Sequence, residues 1–595
     1  MTSIKQINPK NLIKNRQSNP KRAKFIPNLE KSLDQYIFDK AFKFGANFKF
    51  ILIFSGLFLL IIIGLLLQNF YLSGYYQKLE PIPGGIYNEG ILGTFTTANP
   101  IFATSDVDTT VSKLIFSGLF KYNSDNQLVG DLASSYSVNS RGDQYIVILK
   151  PHLTWQDGTP LTAKDVQFTF QTIQDPDSQS PLFSSWQGIS ISTVGNNKII
   201  FNLPDPLASF PEQLTTGILP YHILKAVPAG NIRASLFNTS NPIGSGPFSW
   251  QSIAVSGNSP LLAEEQITLK PFSKYVEGRP KLAAFIVNTF ANSNELLNSF
   301  NSGGLNSIEG LSQVPNNLKN QKSVVVHNLI LTAGVYSFFK TTSGVLADKQ
   351  VRLALIQGAN VPAIIQKLGY STRAVTEPLL QGQLGYNSVY GEPPYNFKAA
   401  QATLTNDGWI LAQNGYRYKN NQILSFNLTL LNNSEYQQVA SQLQYQWKRL
   451  GVKVNLQVLD QIDMSSVLLS HQYDALLYGI EIGVDPDVFV YWDSQQASIQ
   501  SQTRLNFSEY SNPVADESLE EGRTRLDPAL RTIKYQGFLS AWQSDLPALG
   551  LYQPRDLYIT RGQLYNLNKS IINTTSGRLD NVANWEINQA LVTDK

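Results

Sequence analysis

The sequence contains no cysteine, only four histidines and only two methionines among its 595 residues. Without cysteine the chain forms no disulfide bonds and no thiolate metal sites, and it lacks the thiol through which bacterial lipoproteins attach to lipid. The histidines are isolated from one another and show no paired metal-ligand spacing, so we expect no metal and no cofactor. They are His152, His222, His327 and His471.

Motifs of common enzymes are also missing. The chain has no HExxH, no GxSxG and no phosphate-binding GxxxxGK[ST] sequence. Gly244-Ser245-Gly246 comes nearest to the second motif, but Pro247 follows it and suits a turn. We therefore expect no catalytic residues, and any ATP hydrolysis that supports this protein must come from a partner.

Charged residues are absent from one long stretch near the N-terminus. Residues 50–67 are almost entirely aliphatic or aromatic, and the first charge after them is Lys78. This length suffices to cross a hydrocarbon layer and predicts a transmembrane helix over residues 50–72. The preceding residues 1–49 hold eleven Lys and Arg against three acidic residues, which predicts a cytoplasmic tail and an exterior remainder.

Two alternatives for the apolar stretch are a cleaved signal peptide and a buried core helix. A signal peptide usually has a shorter apolar core and a small-x-small cleavage site close behind it. Here a basic region of about fifty residues precedes the stretch, and residues 68–72 (QNFYL) follow it. This arrangement favours a retained anchor.

The part of the chain after the membrane segment differs in charge from the whole. Subtracting about +8 for the tail from the net charge of +3 leaves about −5, so the total charge gives no support to nucleic-acid binding. Residues 73–83 contain Pro and Gly and predict a linker. The remaining residues 84–595 are too many for one hydrophobic core, and two or three lobes are expected.

Strand and helix patterns alternate in this exterior part. Residues 145–149 and 198–203 predict strands, and residues 452–458 alternate as a half-buried strand does. Residues 351–368 and 435–450 carry apolar side chains at helical spacing, and each run stops at a glycine. The exterior part is therefore predicted to be a mixed α/β fold.

One stretch, LTWQDGTPLTAKDVQFTF (residues 153–170), has a complete local pattern. Asp157-Gly158 favours a tight turn, because glycine tolerates positive φ and the Asp side chain bonds nearby backbone. A helix is predicted to begin at Thr162, with Asp165 three residues later as in a capping box. Taken alone, this pattern indicates a strand, a turn and a capped helix, which is scaffold and not chemistry.

Together with other motifs in the same order, this stretch resembles the extracellular solute-binding proteins of family 5, which are the peptide- and nickel-binding components of ABC importers. The other motifs span most of the exterior part. They include LIFSGLFKY (residues 114–122), GSGPF (244–248), LADKQVRLAL (346–355), PPYNFKAAQATLTNDGW (393–409), VDPDVF (484–489) and DLPALGLYQP (545–554).

The resemblance implies two α/β lobes that close on a ligand, as in periplasmic binding proteins, with an extra domain elaborating the first lobe. Because members of the family cross between lobes twice, the lobes here should be discontinuous. The expected borders are about 84–120, 235–325 and 550–595 for the first lobe, about 121–234 for the extra domain and about 326–549 for the second lobe.

In peptide-binding relatives an acidic residue just before a [DE]-P pair meets the ligand's ammonium group. The corresponding slot falls here at about Gly483, and Glu481 stands two residues earlier. Glu481 either takes over the ammonium contact or is a solvated or structurally paired carboxylate. Asp485 either touches the ligand or caps a turn with Pro486.

The resemblance also assigns an extended ligand-pairing segment to residues 332–338 and a first-lobe contact loop to residues 103–108. It implies ligand contacts, mostly through backbone, at Thr104, Asp106, Ala333 and Gly334.

Two tryptophans, Trp186 and Trp492, either line an adaptable pocket or belong to the core. Leu477 or Tyr478 stands where some oligopeptide binders carry an arginine, which argues against recognition of a free carboxylate.

The expected function is that of a single-pass, membrane-anchored substrate-binding protein, with its N-terminus cytoplasmic and its binding domain outside. It would capture extracellular peptides and deliver them to an ABC permease with its ATPase subunits. We expect a monomer that binds the bilayer through its N-terminal helix and binds no nucleic acid. The alternatives are a tethered receptor or sensor without an importer, a binder of nickel chelates or other small solutes, and a surface hydrolase.

Overall fold

The computed structural model describes residues 47–257, 264–501 and 503–593. Residues 1–46 of the predicted cytoplasmic tail lie outside the described residues. The chain divides into two compact units, one of which is Pro81–Asn588. The other combines the residues up to Glu80 with those from Gln589 onward.

Helix α1 (Phe48–Tyr76) contains the predicted membrane segment. An 18-residue window within its portion Phe48–Tyr71 has a mean hydropathy of 3.1, and this portion is long and apolar enough to cross a membrane. The predicted linker over residues 73–83 is wrong in its first part, where the helix continues and strand β1 (Gln77–Ile82) follows. Composition could not reveal this strand, because its partner β24 (Asn588–Thr593) lies at the other end of the chain.

The first half of the large unit contains strands β2 to β13 and helices α2 to α8. In chain order these are β2 (Ile86–Leu92), α2 (Asp106–Ile115), β3 (Phe120–Tyr122), β4 (Leu128–Gly130), β5 (Ala133–Val138), β6 (Gln144–Leu149), α3 (Ala163–Gln174), α4 (Phe183–Trp186), β7 (Ser190–Val194), β8 (Lys198–Asn202), α5 (Phe210–Gln213), α6 (Tyr221–Leu224), α7 (Ala229–Ile232), β9 (Phe248–Ser256), β10 (Glu264–Pro271), β11 (Ala284–Phe290), α8 (Ser293–Asn301), β12 (Ser307–Glu309) and β13 (Val324–Leu331).

The second half contains strands β14 to β23 and helices α9 to α16. These are β14 (Ala333–Phe339), α9 (Lys349–Gly358), α10 (Val361–Leu368), α11 (Phe397–Asn406), β15 (Ile410–Leu411), β16 (Arg417–Lys419), β17 (Gln422–Ile423), β18 (Ser425–Leu431), α12 (Ser434–Arg449), β19 (Lys453–Leu459), α13 (Gln461–Ser470), β20 (Ala475–Glu481), α14 (Phe489–Trp492), α15 (Pro513–Thr524), α16 (Pro528–Asp545), β21 (Ala548–Tyr552), β22 (Arg555–Arg561) and β23 (Ile571–Ile572).

Two mixed sheets form the centres of two lobes. The first has eight strands in the order β23-β13-β22-β12-β2-β11-β10-β9, and the second has five in the order β19-β18-β20-β14-β21. The chain passes between them at Thr332 and again at residues 553–554. These crossings lie a few residues beyond the expected lobe borders at 325/326 and 549/550. The two-lobed α/β fold is as the resemblance implied.

The extra domain is built on a four-stranded antiparallel sheet in the order β5-β6-β8-β7. Alternate residues of β6, namely Tyr145, Val147 and Leu149, are buried, as expected for a strand with one face on a core. This core is continuous with that of the first lobe. The extra domain is therefore packed firmly onto the first lobe.

The second sheet is covered on both faces. Consecutive residues of β20 point to opposite sides, so Leu476 joins the core that contains Trp492 and Trp542, whereas Leu477 joins the core that contains Trp447. Burial on both faces explains why the strand reads as a continuous apolar run.

The capped helix in residues 153–170 is confirmed. Helix α3 has Thr162 as its N-cap, and Asp165 Oδ2 accepts hydrogen bonds from the Thr162 backbone N–H at 2.7 Å and from its hydroxyl at 3.1 Å. Asp165 Oδ1 accepts a third bond, from the Tyr221 N–H at 3.0 Å. The predicted helix 351–368 is instead two helices, because Asn360 caps α10 and Pro362 lies in its first turn.

Replacing Asp165 with alanine is expected to lower the free energy of unfolding by about 1–3 kcal/mol, because it leaves buried N–H donors without an acceptor. Ligand affinity should change little. Chemical denaturation would measure the loss, and Asp125→Ala, at an exposed carboxylate in the same domain, should stay within about 0.5 kcal/mol of wild type. An equal loss in both variants would contradict this role.

Candidate functional site

The two sheets meet beside Thr332, and the structure places the predicted ligand segments there. Ala333 lies opposite Glu481 in the pairing of β14 with β20. The backbone N–H groups of Ile482 and Gly483 both donate to the Thr332 carbonyl oxygen at 3.0 Å. These bonds hold the end of β20, and with it Glu481, at the crossing between the lobes.

Two exposed carboxylates, one from each lobe, lie close enough to interact electrostatically. Asp106 is the first residue of α2, two residues after the exposed Thr104, and its Oδ1 accepts a hydrogen bond from the Thr575 hydroxyl at 2.6 Å. Glu481 ends β20, and no side chain in the described ranges forms an ion pair with it. Partial desolvation raises the pKa of Glu481, and the negative charge of Asp106 raises it further.

A second layer of acidic groups lies below Asp106 in the first lobe. Glu309 and Asp556 are buried, and each has one carboxylate oxygen without a hydrogen-bond partner in the described part of the chain. Burial raises the pKa of Asp556 to about 7 and that of Glu309 well above its usual range, and Asp106 contributes to both. The nearby guanidinium of Arg578 is paired with Glu89. The raised pKa values mean that further negative charge is disfavoured beside Asp106.

The predicted pairing of a ligand with residues 332–338 is wrong for most of that segment. From Val335 to Phe338, β14 pairs with β20 on one side and with β21 on the other, so its backbone bonds are already made. Ala333 and Gly334 pair with β20 only, but both are buried, and the Tyr336 ring occupies the space that a Gly334 side chain would need. A sheet edge can bind a ligand strand only where it is open.

The structure gives Asp485 a different role from ligand contact. Its carboxylate forms a bidentate ion pair with Arg531, with Nη1–Oδ2 at 2.8 Å and Nη2–Oδ1 at 2.6 Å. Its backbone N–H donates to Glu212 Oε1 at 3.0 Å. Both oxygens of the Asp485 carboxylate are thus bonded to Arg531, and this ion pair stands in place of the predicted ligand contact.

The structure also contradicts the pocket-lining role considered for the two tryptophans. Trp186 is 1% exposed and stacks on Phe170 in the extra domain, with ring centroids 3.9 Å apart. Trp492 is fully buried between Phe338 and Trp542, at 5.7 Å from each ring. Neither ring presents a face to the cleft.

Several residues near Glu481 carry no signal in the sequence. The Tyr491 hydroxyl donates to the Glu481 carbonyl oxygen at 2.6 Å, and the Gln383 side-chain amide donates to the Gly483 carbonyl at 3.0 Å. Both partners lie in irregular or very short elements, where no periodic pattern marks them.

Two cavities lie away from Glu481. A groove of about 690 Å³ lies between the extra domain and the second lobe, beside the contacts that join them, and a cavity of about 130 Å³ lies within the first lobe and extra domain. The groove is lined mainly by hydroxyl and amide side chains, among them Ser184, Ser185, Ser209, Gln213, Gln495, Gln496, Ser501 and Thr503.

No group of three or more His, Asp and Glu side chains within the described ranges has an arrangement that could hold a metal ion. The candidate site thus combines two exposed carboxylates, one from each lobe, with two buried acids of the first lobe.

Comparison with known proteins places this architecture. The sequence profile of bacterial extracellular solute-binding proteins, family 5, middle region, matches residues 127–501, which is more than half of the chain. The oligopeptide-binding protein AppA of Bacillus subtilis is 26% identical over 517 residues, covering 82% of this chain and 92% of the relative.

Solved structures show the same fold. AppA of Bacillus subtilis in complex with a nonapeptide has a TM-score of 0.67 at 24% identity, covering 86% of this chain and 100% of that one. NikZ of Campylobacter jejuni in complex with Ni(L-His) has a TM-score of 0.71 at 21% identity, covering 84% and 99%. From the profile match and the shared two-lobed fold, this chain belongs to the bacterial extracellular solute-binding proteins of family 5.

Proposed function

We propose that this protein is the substrate-binding component of an ABC importer and that it captures peptides outside the cell. The observation that carries the proposal is the pair of exposed carboxylates, Asp106 and Glu481, which lie on opposite lobes, interact electrostatically and have no matching cation among the described side chains. A peptide's ammonium group placed between them would supply that charge. The name and bound ligand of the Bacillus subtilis relative support a peptide.

Capture would rest on closure of the two lobes around the crossings at Thr332 and residues 553–554. Short crossing segments of this kind absorb the dihedral change of a hinge. Release would follow docking on a permease, whose ATPase subunits supply the energy. The protein itself performs no covalent chemistry in this proposal.

The apolar helix α1 would tether the protein to the membrane, with the binding domain outside and the basic tail inside. Its length and hydropathy support this role. Alkaline extraction of membranes tests it, because an integral anchor stays in the pellet, whereas a protein whose signal has been cleaved is released and begins after the apolar helix.

Mass spectrometry of what co-purifies with the full chain in mild detergent tests the substrate. A mixture of short peptides would support the proposal. A nickel chelate, a sugar or a lipid would overturn the substrate class while leaving the transport role in place. Neighbouring genes for a permease and an ATPase would separate transport from the alternative of a tethered receptor.

A further inference from the structure

A single carboxylate of the extra domain touches the loop of the second lobe that lies beside the cleft. Glu212, in the short helix α5, accepts a hydrogen bond at Oε1 from the backbone N–H of Asp485 at 3.0 Å. We call residues 482–488, between β20 and α14, the 482–488 loop. Gly483 of this loop has φ +81°, and a Cβ built on it would lie 3.5 Å from Glu212 Oε2.

Other bonds join the same two parts of the molecule. The Ser209 hydroxyl donates to Asp487 Oδ2 at 3.1 Å, and the Ala208 N–H donates to the Arg523 carbonyl at 2.9 Å. Together with the Glu212 contact, they form a continuous patch between the extra domain and the second lobe. Because the extra domain shares the core of the first lobe, this patch joins the two lobes.

The two arginines of the patch form ion pairs with aspartates and not with Glu212. Arg531 pairs with Asp485, and Arg523 lies 3.2 Å from Asp487. Glu212 is left with the Asp485 N–H and, from β3, the Tyr122 hydroxyl as its polar neighbours. Among the described residues, Asp485, Asp487 and Arg531 act on Glu212 by their charge, Tyr122 bonds to it, and Arg523 lies behind Asp487.

This environment disfavours the ionised form of Glu212. Burial, followed by the negative charges of Asp485 and Asp487, raises the pKa of Glu212 to about 7, although the bond from the Asp485 N–H and the charge of Arg531 act in the other direction. When the lobes separate, Glu212 leaves these neighbours and returns towards the ordinary value of about 4.3 for glutamate.

We propose that Glu212 is a positioning residue for ligand capture, which holds the 482–488 loop when the lobes meet and takes up a proton as they close. The proposal rests on the proposed binding function, since it concerns the loop next to Glu481. In the empty protein the approach of Glu481 to Asp106 acts in the same direction, and the Glu212→Gln variant separates the two contributions. With a ligand bound, an ammonium contact requires Glu481 to be ionised.

The pKa of Glu212 is higher in the closed form of the protein than in the open form. Closure is therefore favoured most below the pKa of the open form, and this advantage is lost as the pH rises through about 7. Between pH 8 and pH 6 the ratio of closed to open molecules is expected to rise about tenfold.

Measuring the distance between two spin labels, one on each side of the patch, tests the pH dependence of lobe closure without any ligand. Because the chain has no native cysteine, Val194→Cys in the extra domain and Ile533→Cys in the second lobe provide two exposed labelling sites on the full chain. Wild type should shift towards the shorter distances on going from pH 8 to pH 6. In Glu212→Gln, which keeps an acceptor oxygen but cannot titrate, the closed-to-open ratio should change less than twofold.

Asp205→Asn, at an exposed carboxylate of the same domain, is the matched control and should behave as wild type. The absence of a pH shift in wild type would overturn the proposal, whether or not the variant folds. An equal shift in the distances of Glu212→Gln would overturn it as well, and would mean that other titrating groups such as Asp556 cause the pH dependence. Because no peptide is present, either result leaves the proposed substrate class to its own test by mass spectrometry.

Discussion

Replacing Arg578 with methionine is expected to lower the free energy of unfolding by about 3–5 kcal/mol. The guanidinium is completely buried and pairs with the equally buried Glu89. It also donates to the Thr575 carbonyl at 2.7 Å and to the Thr110 hydroxyl at 3.1 Å. Methionine fills similar space but leaves the Glu89 carboxylate in the core without a counter-charge, which is the costly half of breaking a buried ion pair.

The same substitution also removes a positive charge that acts on two neighbouring acids, Glu309 and Asp556. The charge of Arg578 favours the ionised forms of Glu309 and Asp556, so its loss should raise the pKa of both. Chemical denaturation followed by fluorescence would measure the stability, and Arg279→Met at an exposed arginine is the matched control.

Adding Glu89→Gln to Arg578→Met should recover part of the loss, because it removes the orphaned charge. A loss below about 1 kcal/mol in the single variant, or no recovery in the double variant, would show that the ion pair contributes little.

Glu481→Gln is expected to weaken the binding of peptides with a free amino terminus by about 1–3 kcal/mol, which is about 5- to 150-fold in Kd. The variant keeps the shape of the side chain but removes the charge that would pair with an ammonium group. Asp106→Asn should act in the same direction from the other lobe. Calorimetric titration with a peptide identified by mass spectrometry would measure the change.

An N-acetylated form of the same peptide sharpens this test. It lacks the ammonium group, so it should bind wild type and Glu481→Gln with nearly equal affinity. Asp463→Asn, at an exposed carboxylate on the second lobe, should leave both peptides unaffected. If Glu481→Gln binds the free peptide as tightly as wild type does, Glu481 has no part in the site.

The sequence predicted those parts of the fold that depend on neighbours in the chain. The capping of α3 by Thr162 and Asp165 needs only residues three positions apart, and the strand around Tyr145 is marked by its own alternation. The long apolar helix α1 is equally plain from composition. The break between α9 and α10 is hidden, because the apolar spacing continues from one helix into the next across Asn360 and Pro362.

Contacts between distant parts of the chain could not be predicted in this way. Nothing near Asp485 shows that Arg531 will neutralise it, and nothing near Val335 shows that strands will cover both of its sides. An aromatic side chain such as Trp492 looks the same in a sequence whether it packs in a core or lines a pocket. The resemblance to a known family predicted the region of the site. The three-dimensional packing shows which side chains in that region are exposed and unpaired among the described residues.

The positions of the tryptophans determine which events intrinsic fluorescence can detect in this protein. Six of the eight are fully buried, in the first lobe, the extra domain and the second lobe. Intrinsic tryptophan emission should therefore follow the unfolding of each lobe and respond weakly to a ligand at Glu481. Tyr491, bonded to the Glu481 backbone, is the nearer chromophore. Optical titrations of binding will need a label introduced at the cleft, and a chain without cysteine accepts one at any chosen position.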